Sequence, residues 1–413
     1  MKNNMTSRER IINAVEFKPT DRLPLDLSGM RSTGISAFAY PKLVEALGLP
    51  PRRPRVYDTG QMLALPEPDV LDALGCDCLV MEQGVTNAFP QPELWHDYDF
   101  GGRLKAQVRQ PEKYEVLPDG TVTLWGGRMV PGSTVFNPEH AGCGIDMYGE
   151  LQPPDVAKHR ENCEAQKLTP ETAAEFVEFS RRVRAAAGER AIMAALWPIQ
   201  SGMGIGMGMW PLQCSLFPEE VYAIHAASAE RCVHNMRVLL PLIGGDIDVL
   251  MLTADDWGTQ TSLVASPDVY RNLFKPHYKT MNAAAHELAP RMKTFMHNCG
   301  AVYPLIRDYA ESGFDILNPV QWSAGEQTPA DWKEAAVGTG GEPKIAFWGG
   351  GVNAQHTLPL KGVDDVRDEV RRVVPELSKG GGYVFCNTHN ILAEIAPEKV
   401  IAMYEEAGRI RPE

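Results

Sequence analysis

The chain has 413 residues, a net charge of −13, 44% hydrophobic residues and 23% charged residues, a composition typical of soluble globular proteins. The negative charge argues against nucleic acid or an anionic membrane surface as a partner. Neither a secretory signal pattern nor a run of about 18 apolar residues is present, so a cytoplasmic protein is expected.

Short apolar runs recur along the chain, and each ends in polar residues or glycine. This pattern is typical of parallel strands that are covered on both faces. Eight runs are predicted as strands: 23–30, 76–82, 191–197, 249–257, 293–299, 314–321, 344–353 and 381–390. Helical patterns fill the gaps, and several begin at Pro and end at Gly. We therefore predict an α/β fold, a single (β/α)8 TIM barrel over residues 1–413 with an N-terminal helix, with a doubly wound open sheet as the alternative.

One segment breaks this alternation. KYEVL (113–117), an Asp-Gly turn and TVTLWGGRMV (121–130) predict an antiparallel β-hairpin. We assign it to an insertion after the second strand, roughly residues 95–165, which would form a lid or part of a pocket wall.

The segment QSGMGIGMGMW (200–210) follows the third predicted strand. Its glycines do not form GxGxxG in register, which argues against a dinucleotide site. We expect an apolar loop at the barrel mouth, with Met207 as a candidate contact to a substrate or a large flat cofactor.

The stretch KTFMHNCGA carries His297 and Cys299 at the end of the fifth predicted strand. Active sites of this fold lie at the C-terminal ends of the strands, and residues at i and i+2 of a strand share one face. Cys386 ends the eighth predicted strand, so that two thiolates and one imidazole would converge there. That set suits Zn²⁺ with an open fourth position, for which Glu82 at the end of the second strand is a candidate.

Two other interpretations of these residues stay open. In the first, Cys386 is a buried core thiol and His297 is a hydrogen-bonded core histidine. In the second, His297 and Cys299 form a base and a nucleophile, although side chains at i and i+2 stand roughly 6 to 7 Å apart along a strand.

Two aspartates end the fourth predicted strand in TADDWGTQ. Asp255 and Asp256 are candidate catalytic residues, because one of them could bind zinc in the resting state or orient His297. A helix N-cap or a solvated turn is the alternative.

Further polar residues follow the later strands. His389 and Asn390 come after Cys386 and are candidates to donate hydrogen bonds to a bound substrate or cofactor, with a catalytic role assigned to His389 and a structural cap as the alternative. Asn318 and Gln321 in LNPVQW are expected to line the same pocket.

The chain resembles the uroporphyrinogen decarboxylase superfamily in MTSRERIINAVEFKPTDRLPLDL, HNCGAVYPLIRDYAESGFDILNPVQ and GGGYVFCNTHNI. Within it, the chain resembles the zinc-dependent corrinoid methyltransferases, such as methylcobamide:coenzyme M methyltransferases. The resemblance implies a (β/α)8 barrel and a His-x-Cys pair with a distant Cys as zinc ligands, matched by His297, Cys299 and Cys386. It implies methyl transfer between a small thiol or methylated substrate and a corrinoid (methylcobalamin). A separate corrinoid protein is the expected partner, because no DxHxxG motif is found in this chain.

Uroporphyrinogen decarboxylases proper use no metal and bind an octacarboxylate through a basic motif of the type RQAGRY. This chain has LSGMRSTGISAFAY at that place, with only Arg31 as a remnant, and Asp77 lies near the position of the catalytic aspartate. The difference argues against porphyrinogen decarboxylation. A metal-free lyase of that type and an aryl methyl ether O-demethylase component remain as alternatives, and a homo-oligomer remains open.

Overall fold

The computed structural model describes residues 5–82, 92–138, 151–201, 210–338, 340 and 344–411. Within these ranges the helices are α1 (Ser7–Val15), α2 (Tyr40–Ala46), α3 (Pro68–Ala73), α4 (Val156–Ala165), α5 (Pro170–Ala187), α6 (Trp210–Leu216), α7 (Pro218–Ile243), α8 (Pro267–Val269), α9 (Lys275–Leu288), α10 (Ile306–Glu311), α11 (Pro329–Val337), α12 (Thr357–Leu360), α13 (Val363–Ser378) and α14 (Pro397–Arg409). The strands are β1 (Ile35–Ser36), β2 (Val56–Asp58), β3 (Leu63–Ala64), β4 (Cys78–Glu82), β5 (His96–Asp99), β6 (Lys105–Val108), β7 (Tyr114–Val116), β8 (Val122–Leu124), β9 (Gly127–Met129), β10 (Asn137–Pro138), β11 (Ala191–Ala195), β12 (Val249–Ala254), β13 (Lys293–His297), β14 (Ile316–Asn318), β15 (Ala346–Trp348) and β16 (Tyr383–Val384).

A seven-stranded parallel sheet forms the centre of the fold. Its order is β16-β15-β14-β13-β12-β11-β4, so strands that follow one another in the sequence are neighbours in the sheet. Helices connect the strands and cover the outer face, as parallel pairing requires. The α/β class and seven of the eight predicted strands are found, and each strand is shorter than its predicted run.

The first predicted strand, 23–30, is not a regular strand. Leu25 forms a single parallel bridge with Phe385, just beyond β16. The Phe385 N–H donates to the Pro24 carbonyl at 2.9 Å, and the Asp77 N–H donates to the Leu25 carbonyl at 2.8 Å. Pro24 has no N–H of its own and weakens strand pairing here. This segment therefore bonds to both edges of the sheet without adding an eighth regular strand.

The segment between β4 and β11 is largely antiparallel. β7 and β8 pair around a turn at Asp119-Gly120, where Gly120 has φ +84°, and the sheet order is β10-β9-β8-β7. β5 and β6 form a separate antiparallel pair, and the helices α4 and α5 precede β11. Near the N-terminus, β1, β3 and β2 form a further small sheet.

The core has two layers. Alternate residues of the parallel strands point inward and form one cluster, while a larger cluster lies between the sheet and the outer helices. α1 packs against the N-terminal ends of the strands, where the Gly382 N–H donates to the Ala14 carbonyl at 2.9 Å. The opposite, C-terminal end of the sheet is left for the polar residues described next.

None of the described helices combines the length and the apolar content that a membrane span requires.

Candidate metal centre

His297, Cys299 and His389 place one metal-binding atom each within 4.8 Å of one another. His297 ends β13, and the chain bends directly after it, so that the Cys299 Sγ lies 3.3 Å from the His297 Nε2. This distance is shorter than the spacing expected for i and i+2 on a regular strand, because Cys299 lies beyond the strand. The ring of His389, in the loop after β16, has its centroid 5.8 Å from that of His297. Two imidazoles and one thiolate form a ligand set that suits Zn²⁺.

Cys386, predicted as the third ligand, is not a member of this group. Its side chain is fully buried in the inner core cluster together with Val384, as the alternation of a strand directs. After Cys386 the chain leaves the sheet, and the Thr388 N–H donates to the Val352 carbonyl at 3.0 Å. This turn carries His389 to the site, so the structure brings an imidazole where the sequence predicted a thiolate.

Asn318, expected to line the pocket, lies behind His297 on the neighbouring strand, directly opposite it in register. The Asn318 Nδ2 donates to the Trp348 carbonyl at 2.8 Å, which turns the Oδ1 toward the His297 Nδ1 at 2.6 Å. The Ser32 hydroxyl donates to the same Oδ1 at 2.9 Å. The His297 Nδ1 therefore carries the proton, and its Nε2 keeps a lone pair on the side of Cys299. Ser32 was missed, because nothing in its sequence context distinguishes it.

The two candidate catalytic aspartates lie in different surroundings. The Asp256 Oδ1 accepts the Cys299 N–H at 3.0 Å and lies 3.9 Å from the His297 Nε2. Asp255 is buried and accepts hydrogen bonds from the hydroxyl groups of Tyr278 and Thr253. Asp256 is therefore the aspartate at the site, whereas Asp255 belongs to the packing of β12 against α9.

Glu82, predicted as the fourth ligand, is not a member of the group either. It forms an ion pair with Arg31, whose Nε lies 3.3 Å from the Asp58 Oδ2. Burial raises the pKa of Glu82, and the hydrogen bond from Arg31 acts against that rise. The carboxylate of Glu82 therefore compensates the charge of a guanidinium.

A cavity of about 440 Å³ opens above the ligand group, and Cys299, His389, Gln321 and Asn390 line it. The Gln321 Oε1 accepts the Gly300 N–H at 2.9 Å and so holds the turn after Cys299. Gln321 and Asn390 thus face the space next to the candidate ligands. Met207 lies outside the described residues.

Two glycines fix the position of Cys299. A Cβ on Gly300, which has φ +90°, would lie 2.3 Å from the backbone of Gly258. The Gly258 N–H donates to the Cys299 carbonyl at 3.1 Å. Only residues without a side chain allow the loop after β12 to approach Cys299 this closely.

Burial raises the pKa of the Cys299 thiol, and a hydrogen bond with His389 acts in the opposite direction. Either role of Cys299, metal ligand or nucleophile, requires the thiolate, and a bound metal ion would favour loss of the thiol proton.

The chain shares its fold with a solved methyltransferase, and part of its sequence matches a family model. Residues 235–410, less than half of the chain, match the family model of Uroporphyrinogen decarboxylase (URO-D). A methyltransferase from Methanosarcina mazei superposes with a TM-score of 0.53 at 16% sequence identity, and the alignment covers 98% of each chain. A family 39 glycoside hydrolase from Bacteroides cellulosilyticus WH2 has a TM-score of 0.31 at 9% identity, over 62% of this chain and 63% of that one. No curated protein sequence matches the chain.

The matched residues 235–410 contain all three candidate metal ligands and most of the strands that position them. This segment of the chain is therefore similar to the Uroporphyrinogen decarboxylase (URO-D) family.

Proposed function

We propose that the protein is a zinc-dependent methyltransferase that moves a methyl group between a small methylated substrate or thiol and a corrinoid on a separate protein. The observation that carries the proposal is the convergence of His297, Cys299 and His389 within 4.8 Å beside the cavity of about 440 Å³. The family and the methyltransferase from Methanosarcina mazei, whose fold this chain shares, support the same class of reaction.

A zinc ion bound by these residues would supply a Lewis acid for the sulfur, oxygen or nitrogen atom that carries or receives the methyl group. His297 would present its Nε2 because Asn318 holds the Nδ1 proton. Asp256, whose Oδ1 lies 3.9 Å from the His297 Nε2, is the nearby carboxylate that could serve as a further ligand or accept a proton from a substrate thiol. Gln321 and Asn390, on the cavity wall, would contact the substrate or the corrinoid.

The position of Arg31 speaks against a lyase that binds a polycarboxylate. Its guanidinium is already paired with Glu82 and lies 3.3 Å from Asp58. A substrate with many carboxylates would add negative charge to a place where the existing charges are balanced.

We also propose that the parallel sheet is a (β/α)8 barrel in which one strand is irregular. The backbone hydrogen bonds of Pro24 and Leu25 to residues next to both sheet edges support counting this segment as the eighth strand position.

The test is the metal content of the purified full-length protein and of three single variants. We expect about one zinc per chain in the wild type, loss of zinc in Cys299→Ser and His389→Ala, and retention in Cys386→Ser. Cys386→Ser is the matched control, because it makes the same chemical change at a cysteine outside the ligand group.

If Cys386→Ser loses zinc and His389→Ala retains it, the ligands are instead His297, Cys299 and Cys386. A wild-type protein without zinc that also fails to demethylate methylcobalamin, or to methylate cob(I)alamin, would contradict the proposal and favour a metal-free lyase.

A further inference from the structure

A second cavity, of about 490 Å³, lies between β2, the loop that follows it and the antiparallel segment. Arg31, Tyr57 and Asp58 line it from one side, and Arg109 and Tyr114 line it from the other. Two guanidinium groups and two phenol rings thus share one space that the proposed zinc chemistry does not use.

The two arginines of this cavity differ in their charge partners. Arg31 is paired with Glu82 and lies 3.3 Å from Asp58, so its charge is compensated. Among the residues that the structure describes, Arg109 forms no ion pair, and its buried Nε has no hydrogen-bond partner. Burial lowers the pKa of Arg109, as expected for a cation without a nearby anion. A ligand with one negative charge would complete this site.

The planar guanidinium of Arg109 selects among anions. It can donate two parallel hydrogen bonds to a carboxylate, which gives both affinity and orientation. Asp58 does not take this role, since its Oδ1 accepts the Gln61 N–H at 2.8 Å and its Oδ2 faces Arg31. Within the described ranges, Arg109 thus has no carboxylate partner, and its guanidinium can bind an anionic ligand.

Part of the wall suits an apolar body, whereas Thr59, Gln61 and Gln110 add polar groups. Leu124 and the ring of Tyr114 border the cavity, and Trp125 at its rim is 69% exposed. Trp125 has φ +49°, a conformation uncommon for a bulky residue and often found at functional positions. Apolar and aromatic side chains beside an unpaired cation suit a small acid with an apolar body, such as an aromatic acid.

The second cavity adjoins the cavity of the candidate metal centre. Asn390 lines the metal-centre cavity, and its Nδ2 donates to the Oε1 of Gln61, which lines the second cavity, at 2.6 Å. Arg31 also precedes Ser32, which bonds to Asn318 behind His297. This hydrogen-bonded pair thus connects the walls of the two cavities.

We infer that Arg109 binds the carboxylate of a small, largely apolar substrate whose other end lies on the side of Gln61 and Asn390, the pair shared with the wall of the metal-centre cavity. That this other end carries the methyl group rests on the proposed function, whereas binding of the carboxylate at Arg109 does not.

The experiment measures binding of benzoate and of neutral benzyl alcohol by calorimetry to the metal-free full-length protein. We expect about one benzoate per chain and at least about tenfold weaker binding of benzyl alcohol, since hydrogen bonds to charged groups contribute that much. Arg109→Gln should weaken benzoate binding at least about tenfold, and Arg109→Lys should weaken it less, because it keeps the charge without the planar fork. Arg182→Gln is the matched control; it removes the same charge from α5, where Arg182 pairs with Glu178.

Circular dichroism and thermal unfolding of each variant would show that it is folded. Failure of benzoate to bind the wild type, or equal binding by wild type and Arg109→Gln, would overturn the inference. Benzoate has no methyl group and the protein contains no metal in this experiment, so the result is independent of the methyl-transfer proposal. Conversely, a zinc-containing, corrinoid-active protein that ignores benzoate would overturn this inference alone.

Discussion

Replacing Asn318 by alanine should weaken zinc binding without changing any candidate ligand. Asn318 is fully buried and makes three side-chain hydrogen bonds: to the His297 Nδ1, the Ser32 hydroxyl and the Trp348 carbonyl. Loss of such a partner of a ligand typically lowers metal affinity about 10- to 100-fold, which corresponds to about 1.4 to 2.7 kcal/mol. Groups left without partners should also cost about 2 to 4 kcal/mol of the unfolding free energy.

Zinc affinity would be measured by competition with a chromophoric chelator, and the unfolding free energy of the metal-free protein by urea denaturation. Asn235→Ala is the matched control, because Asn235 is also fully buried and makes three hydrogen bonds, with Gln166, Leu168 and Pro198. It should lose comparable stability and keep its zinc affinity. A folded Asn318→Ala variant with the wild-type zinc affinity would refute the role assigned to Asn318.

Two further predictions concern backbone space and pH. Gly300→Ala should cost about 3 kcal/mol or more of unfolding free energy and displace Cys299, since its Cβ would lie 2.3 Å from the Gly258 backbone. The control is Gly126→Ala, which should cost only about 1 kcal/mol because Gly126 also has a positive φ, +80°, but no atom near its Cβ. Urea denaturation measures both, and equal losses of stability would contradict the argument. Burial lowers the pKa of His225 to about 3. The unfolded chain therefore takes up a proton below about pH 6.5 that the folded chain does not, and stability should fall by about 2 kcal/mol between pH 8 and pH 5. His225→Leu should lose this part of the pH dependence, and an unchanged pH profile would show that His225 titrates normally.

The strands of the sheet were predictable wherever the local sequence contains a clear run of apolar residues. Runs such as 249–257 and 293–299 contain enough consecutive apolar residues to be recognised as buried parallel strands. The run 23–30 has the same composition, but its pairing depends on where the two sheet edges meet, which no local pattern records. The single-domain organisation over residues 1–413 stays a prediction.

The candidate site was predictable only where side chains follow the geometry of a strand. His297 was placed correctly at a strand end, and Cys299 lies beside it. The choice between Cys386 and His389 depends on a loop turn held by Thr388, and spacing alone cannot determine that turn. Arg109 gave no signal in the sequence, because a lone arginine in a β-hairpin segment is usually solvated.

The candidate ligands have an uneven distribution along the chain. His297 ends β13 and Cys299 follows it, whereas His389 follows β16, so β14, β15, β16 and the helices between them separate the ligands in the sequence. A metal coordinated by all three would close this long segment into a loop and reduce the entropy of its locally unfolded states. Removal of the metal should then first increase local unfolding of the strands β14 to β16. The ion would therefore stabilise the fold in addition to taking part in the reaction.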